Sequence, residues 1–383
     1  MNRKLAILTT TLLIALILLT LFLAINLLSN QTTGRRFYVG VEYAYGNNQT
    51  AQVQVTQVQA LVDKVKAYTN LLVMDSVGLT SNSTALSEAC DYIFNAKLNF
   101  IVLFTGLDRY SYNITQWIVE GKSRYGDAFL GIDRYDEPGG NQLDNGIFQL
   151  INDTTSYTQT ATNYVANLTA FPNYYRQFAT RVFTADYGLF WFDYDSHYDA
   201  IFAEFVGNQS RQRIIALDRG AAQAFNKDWG VIVTWKYQDQ PPFLESGNEL
   251  YADLSLAYSA GAKYAVVFSY PNITAYGTLT DEHFAALQKF WTNLQNDPGS
   301  FESNKAEVAY VVPADYGFGF RNPNDTIWGL FPADNQSAKI YADVKTLTAD
   351  YGSHFDILYD EPQIIVPLLG SYNKVFYWNQ TIS

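Results

Sequence analysis

The sequence predicts an α/β protein built on a parallel (β/α)8 TIM barrel, and three observations carry that prediction. Eight short apolar runs of β-type composition recur between residues 37 and 268. Amphipathic segments with helical spacing separate most of them. Five of the runs end in a carboxylate: Glu42, Asp75, Asp133, Asp193 and Glu204. Strand–helix alternation of this kind argues for a parallel sheet. Eight repeats within roughly 265 residues fit a closed barrel, which typically takes about 250. A doubly wound open sheet is the alternative, but its G-x-G-x-x-G turn is missing after the first run, where Gly40 and Gly46 stand alone.

The strands are expected at 37–42, 71–75, 100–104, 129–133, 189–193, 198–204, 231–235 and 264–268. Helices are expected at 53–68, where Val55, Val58, Leu61, Val62 and Val65 form one stripe, and at 84–97 and 114–125. A long helical region follows at 146–181, broken near Pro172. The fifth strand passes to the sixth through a brief loop at 193–198, with no full helix between them. Further helices read at 210–227, 248–261 and 281–296. The barrel thus covers 37–296. Asp297-Pro-Gly-Ser300 is a break, and 305–383 forms a small α/β unit packed on the barrel. Its strands are expected at 306–312, 355–359 and 374–378 and its helix at 337–351, with a loop rich in Gly, Pro and Asn at 313–332.

Composition bounds the function. The chain has 383 residues, 48% hydrophobic and 16% charged, which supports a sizeable core. A net charge of −12 argues against nucleic acid as a partner, because phosphate binding needs a basic face. The 29 Tyr and 7 Trp suit sugar rings, with their apolar faces and polar edges, although packing accounts for most of them. The single cysteine, Cys90, excludes an intramolecular disulfide.

At the amino terminus, Arg3 and Lys4 precede an uncharged apolar stretch from 5 to 28. It is long enough to cross about 30 Å of hydrocarbon and shows no small-residue cleavage pattern before Gly34, so a signal anchor over 1–28 is favoured over a cleaved peptide. Residues 29–36 read as a linker. The positive flank keeps the amino terminus in the cytoplasm and places the barrel outside, at the cell membrane. Eleven N-x-S/T acceptors, among them Asn82 and Asn113, fit a glycosylated exterior.

The chemistry implied by the carboxylates is acid–base work on a glycosidic bond, which takes one protonated and one ionised carboxyl group. Glu137, in Asp133-Arg-Tyr-Asp-Glu-Pro-Gly-Gly140, is the candidate acid. Asp133 and Asp136 beside it raise its pKa, and the glycines allow close backbone approach to a ligand. The competing reading is a solvated acidic turn. Glu204 closes a run too apolar for a surface strand, so it either faces the bowl as the second carboxylate or pairs with Arg211 or Arg213. Glu42, Asp75, Asp133 and Asp193 read as sugar-binding acids, and Trp235 and Lys236 as further contacts, Trp235 as a stacking floor. Glu245 is another candidate, although Ser246-Gly247 also suits a helix start. The run Asp193-Tyr-Asp-Ser-His-Tyr-Asp199 lacks the glycine and terminal Glu of a calcium loop, and no metal or cofactor is called for. There is no P-loop, H-E-x-x-H, C-x-x-C or G-x-S-x-G.

Four segments, Val39-Gly-Val-Glu42, Gly131–Pro138, Asp199–Glu204 and Trp229–Trp235, resemble (β/α)8 glycoside-hydrolase-type proteins, and in particular archaeal cell-surface members of that build. The resemblance spans residues 37–295. It implies carbohydrate as the substrate, with an acid Glu after strand four and, in the largest retaining clan, a nucleophile Glu ending strand seven. Glu137 matches the first position. Strand seven ends instead in Trp235-Lys236, and families that pair strands four and six would use Glu204. The alternative is a non-catalytic glycan-binding or envelope protein with a hydrolase-derived barrel.

Overall fold

A computed structural model describes residues 36–46, 49–105, 109–237, 241 and 243–382. The expected anchor over 1–28 lies outside the described residues, as do most of the linker and the acceptor site at Asn48. Among the described residues no helix is long and apolar enough to cross a membrane.

Eight parallel strands close into a barrel in sequence order: β1 (Tyr38–Tyr43), β2 (Leu71–Met74), β3 (Asn99–Leu103), β4 (Phe129–Asp133), β5 (Arg181–Asp186), β6 (Ala200–Phe205), β7 (Asp228–Val233) and β8 (Tyr264–Val267). Closure comes from β1 pairing with β8, with Tyr38 opposite Tyr264 and Val41 opposite Val267. The interior is filled by side chains two residues apart on each strand, as the strand period requires. Leu71 and Val73, Phe183 and Ala185, Ala200 and Phe202, and Tyr264 and Val266 pack there with Tyr38, Ile101, Leu130 and Ile232. Around the barrel run α1 (Ala51–Val65), α2 (Val77–Thr80), α3 (Ser83–Asn95), α4 (Ile114–Tyr125), α5 (Pro138–Leu143), α6 (Tyr157–Arg176), α7 (Phe190–Asp195), α8 (Arg211–Ala224), α9 (Gly247–Ala260) and α10 (Asp281–Asn296).

Side-chain caps set several of the starts. The side-chain oxygens of Asn82 and Asn113 accept from Ala85 N and Gln116 N, each at 3.0 Å. Two of the N-x-S/T sites therefore already have a helix-capping role.

The expected fifth strand is misplaced by one element. Strand β5 is Arg181–Asp186, and Phe190–Asp195 is the short helix α7. The run Leu189-Phe-Trp-Phe192 is apolar because it packs in the core: Trp191 and Phe192 are buried and pack on Tyr359 and, for Phe192, also on Trp328. An apolar run of this length does not distinguish a strand from a buried helix turn. The long region at 146–181 contributes one helix, α6, which carries Pro172 inside it.

The carboxyl-terminal unit is a three-stranded parallel sheet ordered β10 (Phe355–Tyr359), β9 (Val308–Val312), β11 (Lys374–Tyr377), with α11 (Asn335–Tyr351) and α12 (Pro362–Leu369). It packs on α8. Gly220 sits where a Cβ would lie 2.5 Å from the carbonyl oxygen of Ile357, so only glycine lets the helix approach the sheet this closely. Beside it, buried Arg219 bonds the Asp356 carboxylate at 2.7 Å and the carbonyls of Ala260, Asn304, Ser353 and Phe355. The loop at 313–334 reaches back over the barrel. Gln142 of α5 donates to the Trp328 carbonyl at 2.8 Å, and the Thr326 hydroxyl donates to Leu143 O at 3.2 Å.

Arg219→Ala strips a buried carboxylate of its charged partner and leaves four carbonyls without their donor. We expect a loss of about 3–5 kcal/mol, read as a lowered urea midpoint. A midpoint equal to wild type would show that the ion pair does not hold the two parts together.

Candidate active site

The carboxyl ends of the barrel strands surround a cavity of about 560 Å³. Its lining follows from strand parity. Continuing the inward-facing rows in steps of two residues, twice beyond Tyr38 and once beyond Val73, Ala185, Phe202, Ile232 and Val266, leads from the packed interior to Glu42, Asp75, Tyr187, Glu204, Thr234 and Phe268, and all six line the cavity. Asp136, Glu137, Asp144, Gln209, Trp235, Lys236 and Arg321 complete the polar and aromatic part of the wall.

Glu137 gets there by a different route. After β4 the chain runs along the end of β5, with Arg134 N donating to Phe183 O and Glu137 N to Ala185 O, each at 3.0 Å. Glu137 adopts a left-handed conformation, φ 50° and ψ 49°, directly before Pro138. Non-glycine residues rarely occupy that region, and strain of this kind gathers at functional sites. Asp186, on the outward face of β5, holds the loop. Its carboxylate accepts from the backbone N–H groups of Gly139 (2.6 Å), Gly140 (2.8 Å), Tyr187 (2.7 Å) and Gly188 (3.1 Å). Gly140 is needed because a Cβ there would sit 2.1 Å from the Tyr187 ring. The glycines thus admit Asp186 and Tyr187 rather than a ligand.

The Glu137 and Glu204 carboxyl groups hydrogen-bond each other. Burial and then the Glu137 charge raise the pKa of Glu204 well above the carboxylate range. Burial also raises that of Glu137, but the hydrogen bond from Glu204 pulls it back. One proton is therefore shared by the pair, and the deeper burial of Glu204 favours the neutral form there. Glu42 and Asp75 form a second pair. Burial raises Glu42 strongly, with the Asp75 charge next, and takes Asp75 to about 7.

The other expected site residues lie elsewhere. Asp133 is buried and is not among the cavity-lining residues; a β-bulge before Gly131 sets it on the inward face, opposite Leu103 and Phe183, where its charge couples to Asp75 and Asp136. Asp193 is fully buried in α7, where Tyr164 donates to it at 2.7 Å. Glu245 is drawn into a buried cluster with Arg211 at 3.2 Å, and Arg211 also binds Asp253 at 2.8 Å. Arg211 is thus not the partner of Glu204, and neither is Arg213, which donates to Gln209 at 3.2 Å. Trp235 and Lys236 do line the cavity. Trp235 Nε1 donates to Tyr270 O at 2.7 Å, and Lys236 binds Glu249 at 2.5 Å.

Sequence reading missed Asp186, Tyr187, Thr234, Asp144 and Arg321. Val182-Phe-Thr-Ala-Asp186 had the same acid-ended build as the other strands and could have revealed the first two. Arg321 had no local signal. The loop at 313–334 brings it to the cavity, where it bonds Asp325 at 2.8 Å and also pairs with Asp144.

Fold and site together define a (β/α)8 barrel with a paired-carboxylate bowl. No protein-family model matches this chain, and no curated protein matches it. Solved structures do match in fold. A GH5_18 from Bifidobacterium longum subsp. infantis aligns with a TM-score of 0.54 at 12% identity, covering 90% of this chain and 97% of its own. A beta-1,4-D-mannanase from Cryptopygus antarcticus gives a TM-score of 0.48 at 13% identity, covering 70% and 93%.

The raised carboxyls make stability pH-dependent. Asp75, Glu42 and Glu204 hold protons in the folded state at pH values where the unfolded chain has released them, so stability is lost as pH rises from about 4 through 7. For Asp75 the loss reaches at most about 4 kcal/mol. We expect a lower melting temperature at pH 8 than at pH 5, and a smaller difference in Asp75→Asn. A melting temperature that rises toward pH 8 would contradict these burial effects.

Proposed function

We propose that this protein is a glycoside hydrolase that acts outside the cytoplasm, held at the membrane by its amino-terminal segment. The observation that carries the hydrolase reading is the Glu137–Glu204 pair, two hydrogen-bonded carboxyls sharing a proton on the wall of a cavity that also holds Trp235, Tyr187 and Phe268. A protonated and an ionised carboxyl are the two groups the reaction needs, and the aromatic rings suit sugar faces. The barrel likeness to the Bifidobacterium GH5_18 supports the fold class in which this chemistry would work.

The electrostatics favours a division of roles opposite to the one expected from the sequence. Glu204, which holds the proton, protonates the leaving oxygen. Glu137, the more exposed of the two, attacks the anomeric carbon as the carboxylate. A glycan-binding protein without turnover is the second reading, favoured by the lack of an acid at the end of β7, where Thr234, Trp235 and Lys236 stand.

Kinetics separates the roles. Glu137→Gln is expected to abolish turnover of every glycoside, with at least a ~10³-fold loss in kcat. Glu204→Gln keeps cleaving aryl glycosides with good leaving groups, which need no acid. The reverse pattern would exchange the roles, and wild-type turnover in both variants would remove the pair from catalysis.

A further inference from the structure

We propose that the sugar bound beside the catalytic pair carries a cationic amino group, seated between Glu42 and Asp75; this rests on the glycosidase reading above. The cavity wall carries six acids: Glu42, Asp75, Asp136, Glu137, Asp144 and Glu204. Among the described residues that line it, the cations are Lys236 and Arg321, and both are already paired, Lys236 with Glu249 and Arg321 with Asp325 and Asp144. Setting aside the pair assigned to catalysis, Glu42 and Asp75 form a second pair that faces the same space.

A second, independent observation points to a missing ligand. Glu42 is only 7% exposed, yet apart from the Asp75 carboxyl it pairs with, its Oε2 meets no hydrogen-bond donor. Thr234, 9% exposed and on the same wall, has an unpartnered hydroxyl. A buried acceptor left unpaired costs about 1–3 kcal/mol, so a group that fills it is bound in return. An ammonium is donor-only with three N–H bonds to give, and its charge would displace the proton that Glu42 and Asp75 otherwise share, leaving two acceptor-only carboxylates. One ammonium reaching Glu42 Oε2, Asp75 and the Thr234 oxygen would satisfy the orphaned atoms and supply the countercharge the wall lacks. A neutral hydroxyl brings one donor and no charge. The chemical class is therefore a 2-amino or other amino-substituted sugar, such as a glucosamine oligomer.

Binding can be read without turnover. Titration calorimetry on full-length Glu137→Gln would compare a de-N-acetylated glucosamine tetramer with its N-acetylated form and with cellotetraose. We expect the amino tetramer to bind at least 10-fold tighter than either neutral one. That preference should fall by 10-fold or more in Glu42→Gln and in Asp75→Asn, each combined with Glu137→Gln, and should shrink as salt rises. Equal or weaker binding of the amino tetramer overturns the proposal. So does an equal loss for charged and neutral tetramers in both double variants, which also covers the case of one variant folding poorly. If wild type cleaves no glycan but the charge preference stands, the hydrolase reading fails and the amino-sugar site survives. If wild type cleaves neutral glycans without that preference, the reverse holds.

Discussion

Closure of the sheet between β1 and β8 is the constraint on which the rest of the molecule depends. Once eight parallel strands form a ring, every strand ends on the same rim. The strand period then decides which residues face inward there. Glu42, Asp75 and Glu204 extend rows that begin with Tyr38, Leu71 and Ala200 in the packed interior. Three acids separated by up to 162 positions line one cavity although their sequence segments are far apart.

That gathering has an electrostatic consequence. Buried carboxyls close together cannot all ionise, and the paired cations Lys236 and Arg321 offer little relief. The site responds by sharing protons, within Glu137–Glu204 and within Glu42–Asp75. Retained protons are a cost to the fold at high pH and a resource for acid–base chemistry near neutrality. The burden falls on the barrel, and the carboxyl-terminal unit adds to the support. Arg219 locks its sheet to α8, while the loop at 313–334 is stitched to α5, the helix that Glu137 starts.

Much of this was legible in the sequence, and the failures have identifiable causes. The barrel and the small carboxyl-terminal sheet followed from period and breakers. Glu42, Asp75, Glu204, Trp235 and Lys236 reach the cavity because strand ends do. Asp133 does not: a β-bulge in β4, which no local signal reveals, sets it opposite inward-facing Phe183, two residues deeper than Ala185, where that row reaches the cavity. Asp193 was lost when a core-packed helix turn was read as a strand. Glu245 could not be sorted, since its partner Arg211 sits 34 residues away on another element. Arg321 depends on a long excursion whose path only tertiary contacts decide.

The remaining question is how an acid after strand four meets one on strand six, with β5 between them. The backbone supplies the answer. The chain leaving β4 does not turn outward at once. It continues along β5, bonded to Phe183 O and Ala185 O, and so crosses the intervening strand end. Asp186 fixes the far side of that crossing through four N–H groups drawn from two loops. The left-handed turn at Glu137 is strained on its own, and it persists because the Asp186 clamp and the start of α5 over-determine it. Its effect is to aim the carboxyl toward β6, where Glu204 stands one strand beyond β5. The two carboxyls that meet on the rim therefore come from the loop after β4 and from β6, while the end of β7 contributes Thr234, Trp235 and Lys236 to the wall.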